Sequence, residues 1–151
     1  MRTPSALVLA LIAFASSSTL AADPEVTAQL DKAAAAKGAI RTPAGVIVTP
    51  SKNGKGATPV ANDWVKVHYT LRHPGGPEIE SSRRLGQPAV VDLAKAGPCF
   101  QEGMAQLKVG AHALLTCPAE TVFGAHGTTL KPTPGKPLEF KVELLGIVKH
   151  P

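Results

Sequence analysis

Apolar side chains occupy every second position in several short segments of the chain, and this alternation predicts β-strands. In the clearest segment, Val65, Val67 and Leu71 alternate with polar residues. Such a strand has one face in the core and the other toward solvent. In the last predicted strand the outward residues are Glu139, Lys141 and Glu143. Strands are predicted in this way at residues 46–48, 65–71, 89–93, 111–117 and 138–144.

A short central helix is predicted by a different spacing. Phe100, Met104 and Leu107 lie at positions i, i+4 and i+7, which favours a helix over residues 99–107 with one apolar face on the sheet. Strands outnumber helices in this pattern. The predicted fold class is therefore α+β, with a curled, mostly antiparallel sheet wrapped around one short helix.

A second helix is predicted near the amino terminus, over residues 25–37. Asp23 suits the N-cap position and Pro24 the first helical position. Its apolar stripe is thin, so it either docks on the domain or on a partner, or it forms a frayed leader. We interpret residues 38–44 as a linker to the main domain, which begins at residue 45.

The first 21 residues have the pattern of a secretory signal peptide. Arg2 precedes an apolar run and then small residues ending at Ala21. The run is about half as long as the ~20 residues of a membrane span, which disfavours a retained anchor. We expect cleavage after Ala21, export to the periplasm, and a mature chain of one domain without a membrane segment.

Composition narrows the classes of function. The 14 Gly and 14 Pro are dispersed, which indicates a β-rich domain with many turns and rules out a helical bundle or collagen. The net charge of +5 comes from scattered lysines and arginines, which argues against nucleic-acid binding. Residues 119–136 lack periodicity and are rich in Gly, Thr and Pro, so they form a candidate functional loop.

No motif for covalent, metal or cofactor chemistry is present. There is no G-x-S-x-G sequence, phosphate loop or dinucleotide fingerprint. The histidines are too far apart for a zinc motif, and His68 and His112 are expected to be solvated on the outward face of their strands. The five histidines are His68, His73, His112, His126 and His150.

Two cysteines, Cys99 and Cys117, remain to be explained. In an exported chain an even number of cysteines favours a disulfide. The alternative is two buried free thiols that behave as small hydrophobic side chains.

The later part of the chain resembles the FKBP-type peptidyl-prolyl isomerase domain. The blocks that carry the resemblance match in order and spacing over roughly 100 residues. The lead-in at 42–48 is similar to that of exported bacterial members of the macrophage-infectivity-potentiator type. Those members often carry a long helical dimerisation arm, which this chain lacks. The blocks are VKVHYT at 65–70, IESS at 79–82, PCFQEGM at 98–104, LKVG at 107–110, CPAETVFG at 117–124 and LEFKVELL at 138–145.

The resemblance implies a half-barrel of strands around the short helix, with an apolar pocket that receives a proline side chain or a macrolide. Tyr69, Glu80, Phe100, Phe123 and Phe140 would be the catalytic residues. The loop at 124–134 would form the rim. The remaining lining residues would be Ile79, Ala89, Val91, Ala96 and Gly97.

The resemblance also implies a function and a disulfide. The chain is expected to be a peptidyl-prolyl cis–trans isomerase that assists folding of proline-containing polypeptides, and the alternative is a non-catalytic chaperone or binding module of the same fold. Exported relatives often carry cysteines at both positions, which strengthens the expectation that Cys99 and Cys117 are bonded.

The predicted pocket differs from the usual pattern of the family. Phe100 replaces the usual Trp, Ala96 and Gly97 replace a Val-Ile pair, and Ala89 replaces an aromatic residue. In addition, Glu80 stands for an aspartate, Leu85 for an arginine and Phe123 for a tyrosine. These substitutions predict a wider pocket that binds its ligand more weakly than is usual in the family.

Overall fold

The structure, a computed structural model, describes residues 24–122 and 135–149. The predicted signal peptide, Phe123, His126, His150 and most of the predicted loop at 119–136 lie outside the described residues. The described elements, in chain order, are α1 (Pro24–Ala34), β1 (Ile40–Arg41), β2 (Ile47–Lys52), β3 (Trp64–Arg72), β4 (Glu78–Ser81), β5 (Ala89–Asp92), α2 (Pro98–Met104), β6 (His112–Cys117), α3 (Ala119–Val122) and β7 (Leu138–Val148).

The strands form one open antiparallel sheet, which confirms the predicted fold class. Their order is β1-β2-β6-β7-β3-β4, and β5 pairs with β3 beside β4. In the central pair, Tyr69 lies opposite Val142 and Leu71 lies opposite Phe140. The predicted alternation holds along β7, because Leu138, Phe140, Val142 and Leu144 are buried while Lys141 is exposed.

The hydrophobic core lies between the inner face of the sheet and α2. Met104 of α2 is fully buried in this core together with Leu115 of β6. The helix approaches β6 closely at Gly103, where an added Cβ would lie 2.8 Å from Leu115 Cδ1. This close packing fixes the position of α2 against the sheet.

Helix α1 packs on the opposite, outer face of the sheet, against β2 and β6. Ile47 is fully buried although its neighbours Val46 and Val48 face the inner core. Asp31 of α1 accepts a hydrogen bond of 2.9 Å from Arg41, which ties the helix to β1. Of the interpretations open from the sequence, docking on the domain itself is the one found, and the helix ends at Ala34 rather than at residue 37.

Several elements differ from the sequence prediction. The predicted linker at 38–44 contains β1, which pairs with β2 through Ile40 and Val48. The predicted aperiodic loop at 119–136 begins with the short helix α3. Strand β4 has no clear apolar alternation and was not predicted from periodicity. Such short elements are stabilised by partners distant in sequence, so local patterns do not show them.

Candidate active site

Three aromatic rings form a cluster on the inner side of the sheet. Phe140 of β7 is 4% exposed and lies between the other two rings. The centroid of its ring is 4.9 Å from that of Phe100 on α2, in an edge-to-face arrangement. The Tyr69 ring of β3 is 6.1 Å from Phe140 and tilted by 57°. Tyr69 and Phe100 are only partly buried, so the cluster presents aromatic surface outward.

The polar group of the cluster is the Tyr69 phenol. Its hydroxyl donates a hydrogen bond of 2.7 Å to Glu80 Oε2, across the β3–β4 pair. Burial raises the pKa of the Tyr69 phenol well above its ordinary value, and the hydrogen bond to Glu80 and the charge of Glu80 raise this pKa further. The phenol is therefore neutral at physiological pH and retains its proton as a donor.

Further apolar residues of the predicted site pack against the same hydrophobic core. Ile79, Ala89 and Val91 are partly buried and pack against the core. Val122, at the end of α3, belongs to the same partly buried set, although the sequence analysis did not include it. Its position directly before Phe123 in the family block was the available signal. Phe123 itself lies outside the described residues.

The start of α2 is packed tightly beside this cluster. Gly97 is the N-cap of α2 and is buried, and Ala96 before it is half-buried. An added Cβ at Gly97 would lie 2.4 Å from the carbonyl oxygen of Thr121, so a larger side chain does not fit here without movement of α3. The absence of a side chain therefore permits the close approach of α2 and α3.

A disulfide fixes α2 to the sheet next to Phe100. The sulfur atoms of Cys99 and Cys117 are bonded at 1.98 Å, and their Cα atoms are 5.7 Å apart. This confirms the predicted bond between the two cysteines and leaves no free thiol in the chain. The bond joins the first turn of α2 to the last residue of β6.

The surroundings of Glu80 differ from the usual family arrangement that the sequence analysis described. Leu85, at the position of the usual arginine, is 64% exposed. Arg84 instead donates a hydrogen bond of 3.0 Å to the carbonyl oxygen of Ile79. Tyr69 is thus the side chain that contacts the Glu80 carboxylate among the residues that the structure describes.

His68 and His112 on the outer face of the sheet were expected to be solvated, but both have polar contacts with other side chains. His68 and His112 are half-buried. Nδ1 of His68 lies 2.9 Å from Ser82 Oγ, and Nε2 of His112 lies 3.5 Å from Glu143 Oε1. Both histidines therefore have a polar side chain nearby on the outer face.

The described part of the chain has neither a cluster of metal-binding side chains nor a helix that could span a membrane. Residues 24–122 and 135–149 contain no group of three histidine, cysteine or acidic side chains placed to hold a metal ion. In the same residues no helix has the length and apolar character needed to cross a membrane.

Ser82, which the sequence analysis did not single out, contacts the backbone of Tyr69 as well as His68.

A sheet of this topology, a short helix on its inner face and an aromatic cluster with a tyrosine–carboxylate pair define an FKBP-like domain. The family model described as FKBP-type peptidyl-prolyl cis-trans isomerase matches residues 55–145. The chain belongs to the FKBP-type peptidyl-prolyl cis–trans isomerase family.

Sequence comparison with individual proteins also identifies members of this family. The FKBP-type peptidyl-prolyl cis-trans isomerase FkpA of Aeromonas hydrophila is 36% identical over 113 residues, which are 75% of this chain and 42% of that protein. The isomerase Fkbp12 of Drosophila melanogaster is 36% identical over 106 residues, or 68% of this chain and 98% of that protein. The match thus covers nearly the whole Drosophila protein but less than half of the Aeromonas protein.

A solved structure agrees with the sequence matches. The crystal structure of FkpA from Escherichia coli superimposes with a TM-score of 0.75 at 30% identity, covering 84% of this chain and 59% of that one. The fold predicted from the sequence is therefore found both in the structure of this chain and in a solved relative.

Proposed function

We propose that the chain is a peptidyl-prolyl cis–trans isomerase that acts on exported polypeptides in the periplasm. The observation that carries this proposal is the packing of the partly exposed Tyr69 and Phe100 rings on the buried Phe140, with the Tyr69 hydroxyl bonded to Glu80 at the edge of the cluster. The signal-like residues 1–21 support export. Ile79, Ala89, Val91, Ala96 and Phe123 would complete the wall around a bound proline ring.

The chemistry requires no nucleophile. An Xaa-Pro bond prefers trans by only ~0.5–1 kcal/mol, but its rotation barrier is ~18–20 kcal/mol, because amide resonance is lost in the twisted state. The planar amide is more dipolar than the twisted one. An apolar site therefore destabilises the ground state more than the transition state, and this difference accelerates rotation.

Each part of the cluster has a role in this mechanism. Phe100 and Phe140 would hold the proline ring by apolar contact, since their two rings meet at 76° and form a corner. The neutral Tyr69 phenol and the Glu80 carboxylate would supply the polar edge at which the preceding carbonyl turns. The Gly97 N–H lies at the start of α2 and would donate to the substrate backbone. Macrolides would occupy the same apolar site.

A second candidate function is a non-catalytic chaperone or binding module. The specific observation in its favour is the small size of one wall, where Ala89, Ala96 and Gly97 leave little apolar surface to grip a proline. Such a site would bind unfolded chains loosely without orienting one amide bond. The rim and the residues after α3 would then carry the interaction.

The experiment that tests these functions measures isomerisation of a short Xaa-Pro peptide by the mature chain. We expect rates above the uncatalysed rate, and loss of most of the increase in Phe140→Leu. Val90→Ala is the matched control, because Val90 is 50% exposed and lies beside Lys66 on the outer face. An uncatalysed rate for the intact chain, with assisted refolding of a client that lacks proline, would replace the first function with the second.

A further inference from the structure

The edge of β3 changes its partner at Tyr69. Residues Trp64 to Val67 pair with β5, and residues Thr70 to Arg72 pair with β4. His68 and Tyr69 lie between these two ladders, so neither β4 nor β5 supplies a backbone partner in register for them. The gap lies in the strand that positions the phenol of the candidate site.

Ser82, the residue after β4, fills this gap. It is 1% exposed, and its backbone N–H donates to the carbonyl oxygen of Tyr69 at 3.0 Å. The N–H of Tyr69 donates to the Ser82 hydroxyl oxygen at 2.9 Å. The side chain thus accepts the bond that a strand carbonyl accepts in an ordinary antiparallel ladder.

The hydroxyl of Ser82 has capacity for two further contacts, and it makes both. It donates to the carbonyl oxygen of Tyr69 at 3.3 Å, and its oxygen lies 2.9 Å from His68 Nδ1. A hydroxyl has one proton and two lone pairs. These contacts use the full capacity of the hydroxyl: Oγ accepts from Tyr69 N–H, and its proton and second lone pair are shared between Tyr69 O and His68 Nδ1.

This arrangement fixes the strand backbone from which the Tyr69 phenol projects. The direction of a side chain follows the orientation of its own backbone within the pleat. The phenol must also reach Glu80 Oε2, only two residues before Ser82, at 2.7 Å. Loss of the Ser82 hydroxyl would leave the Tyr69 N–H without an acceptor and free this part of β3 to shift against β4.

We propose that Ser82 is a positioning residue, which holds Tyr69 in the orientation that the isomerisation site requires. The expected effect of Ser82 on isomerisation rests on the proposed function. The expected effect of Ser82 on the orientation of Tyr69 does not. His68 belongs to the same network through the 2.9 Å contact of its Nδ1 with the Ser82 hydroxyl.

The test compares Ser82→Ala with Ser81→Ala. Ser81 is a matched control, since it is also buried but its hydroxyl contacts Thr70 Oγ1 at 3.5 Å rather than the Tyr69 backbone. For Ser82→Ala we expect kcat/KM on an Xaa-Pro peptide to fall about tenfold, which is ~1.4 kcal/mol in transition-state free energy. For Ser81→Ala we expect a change of less than twofold.

A double-mutant comparison separates positioning from a general structural effect. If Ser82 acts through the Tyr69 hydroxyl, Ser82→Ala costs less than twofold in a Tyr69→Phe background. A tenfold loss in that background as well would overturn the inference. So would a Ser82→Ala enzyme with intact kcat/KM.

A spectroscopic arm keeps the inference testable if the intact chain has no isomerase activity. The chain contains one tyrosine, so ring-labelled tyrosine gives NMR signals of Tyr69 alone. We expect Ser82→Ala, but not Ser81→Ala, to shift these signals, and unchanged signals would overturn the inference whatever the activity. If Ser82→Ala does not fold, hydrogen exchange of the Tyr69 amide in the unmodified chain decides, because rapid exchange contradicts the bond to Ser82.

Discussion

The Tyr69 hydroxyl lies 2.7 Å from Glu80 Oε2 and joins two strands at the edge of the aromatic cluster. Both side chains are half-buried, so water competes only partly for the carboxylate. The bond therefore couples the polar edge of the candidate site to the pairing of β3 with β4.

Removal of the hydroxyl by Tyr69→Phe is expected to reduce kcat/KM about tenfold while leaving the fold intact. A hydrogen bond to a carboxylate contributes about 1.5 kcal/mol net, and the aromatic ring remains to pack on Phe140. The measurement is peptide isomerisation, with circular dichroism as the control for folding. Full activity in Tyr69→Phe would show that the ring alone is used.

The raised pKa of Tyr69 predicts a loss of stability at alkaline pH. The folded chain keeps the phenol protonated at pH values where the unfolded chain, with an ordinary tyrosine pKa of about 10, releases the proton. The contribution is thus fully present below pH ~10 and is lost as the pH rises from there toward the folded-state pKa, by up to ~1.4 kcal/mol per pH unit.

Urea unfolding at a series of pH values from 9 upward measures this dependence. Tyr69→Phe is the control, because it removes the titrating group and leaves the titration of the lysines in place. The difference between the two free energies of unfolding should decrease with rising pH. A constant difference would contradict the raised pKa.

Reduction of the Cys99–Cys117 bond is expected to lower the free energy of unfolding by about 3 kcal/mol. The two cysteines are 18 residues apart, and a loop of this length loses that much conformational freedom in the unfolded chain when it is closed. Unfolding with and without a reductant measures the effect, and a Cys99→Ser, Cys117→Ser double variant should be insensitive to the reductant. Equal stability of the oxidised and reduced chains would refute the prediction.

Gly97→Ala is expected to destabilise the chain by about 1–3 kcal/mol and to lower activity, because the new methyl group would lie 2.4 Å from Thr121 O. Gly146→Ala is the matched control, since an added Cβ there meets no atom within 4 Å. Thermal unfolding of both variants checks the comparison. Equal melting temperatures would mean that α2 and α3 move apart easily.

Much of the fold was predictable because every second side chain of a strand faces the core and is buried. The alternation at 65–71, 111–117 and 138–144 identified three long strands, and the spacing of Phe100 and Met104 identified α2. The same alternation does not report polar contacts. The role of Ser82 depends on where β5 ends and β4 begins along β3, and this is a property of pairing rather than of local sequence.

The candidate site was predictable only in part. The resemblance to the family supplied Tyr69, Glu80, Phe100 and Phe140, and these four residues do lie together. The tight contact of Gly97 with α3 was not predictable, since it depends on two helices that meet through the backbone. The catalytic roles of Tyr69, Glu80, Phe100 and Phe140 remain predictions, as does the position of Phe123 in the site.

The location of α1 has a further consequence for how the chain would meet other molecules. Thr49 and Leu114, beside which α1 lies, point away from the aromatic rings on the inner side. A partner or surface bound through α1 would therefore lie on the outer side of the sheet. A client polypeptide would still reach Phe100 on the inner side, so binding through α1 would not block binding at the candidate site.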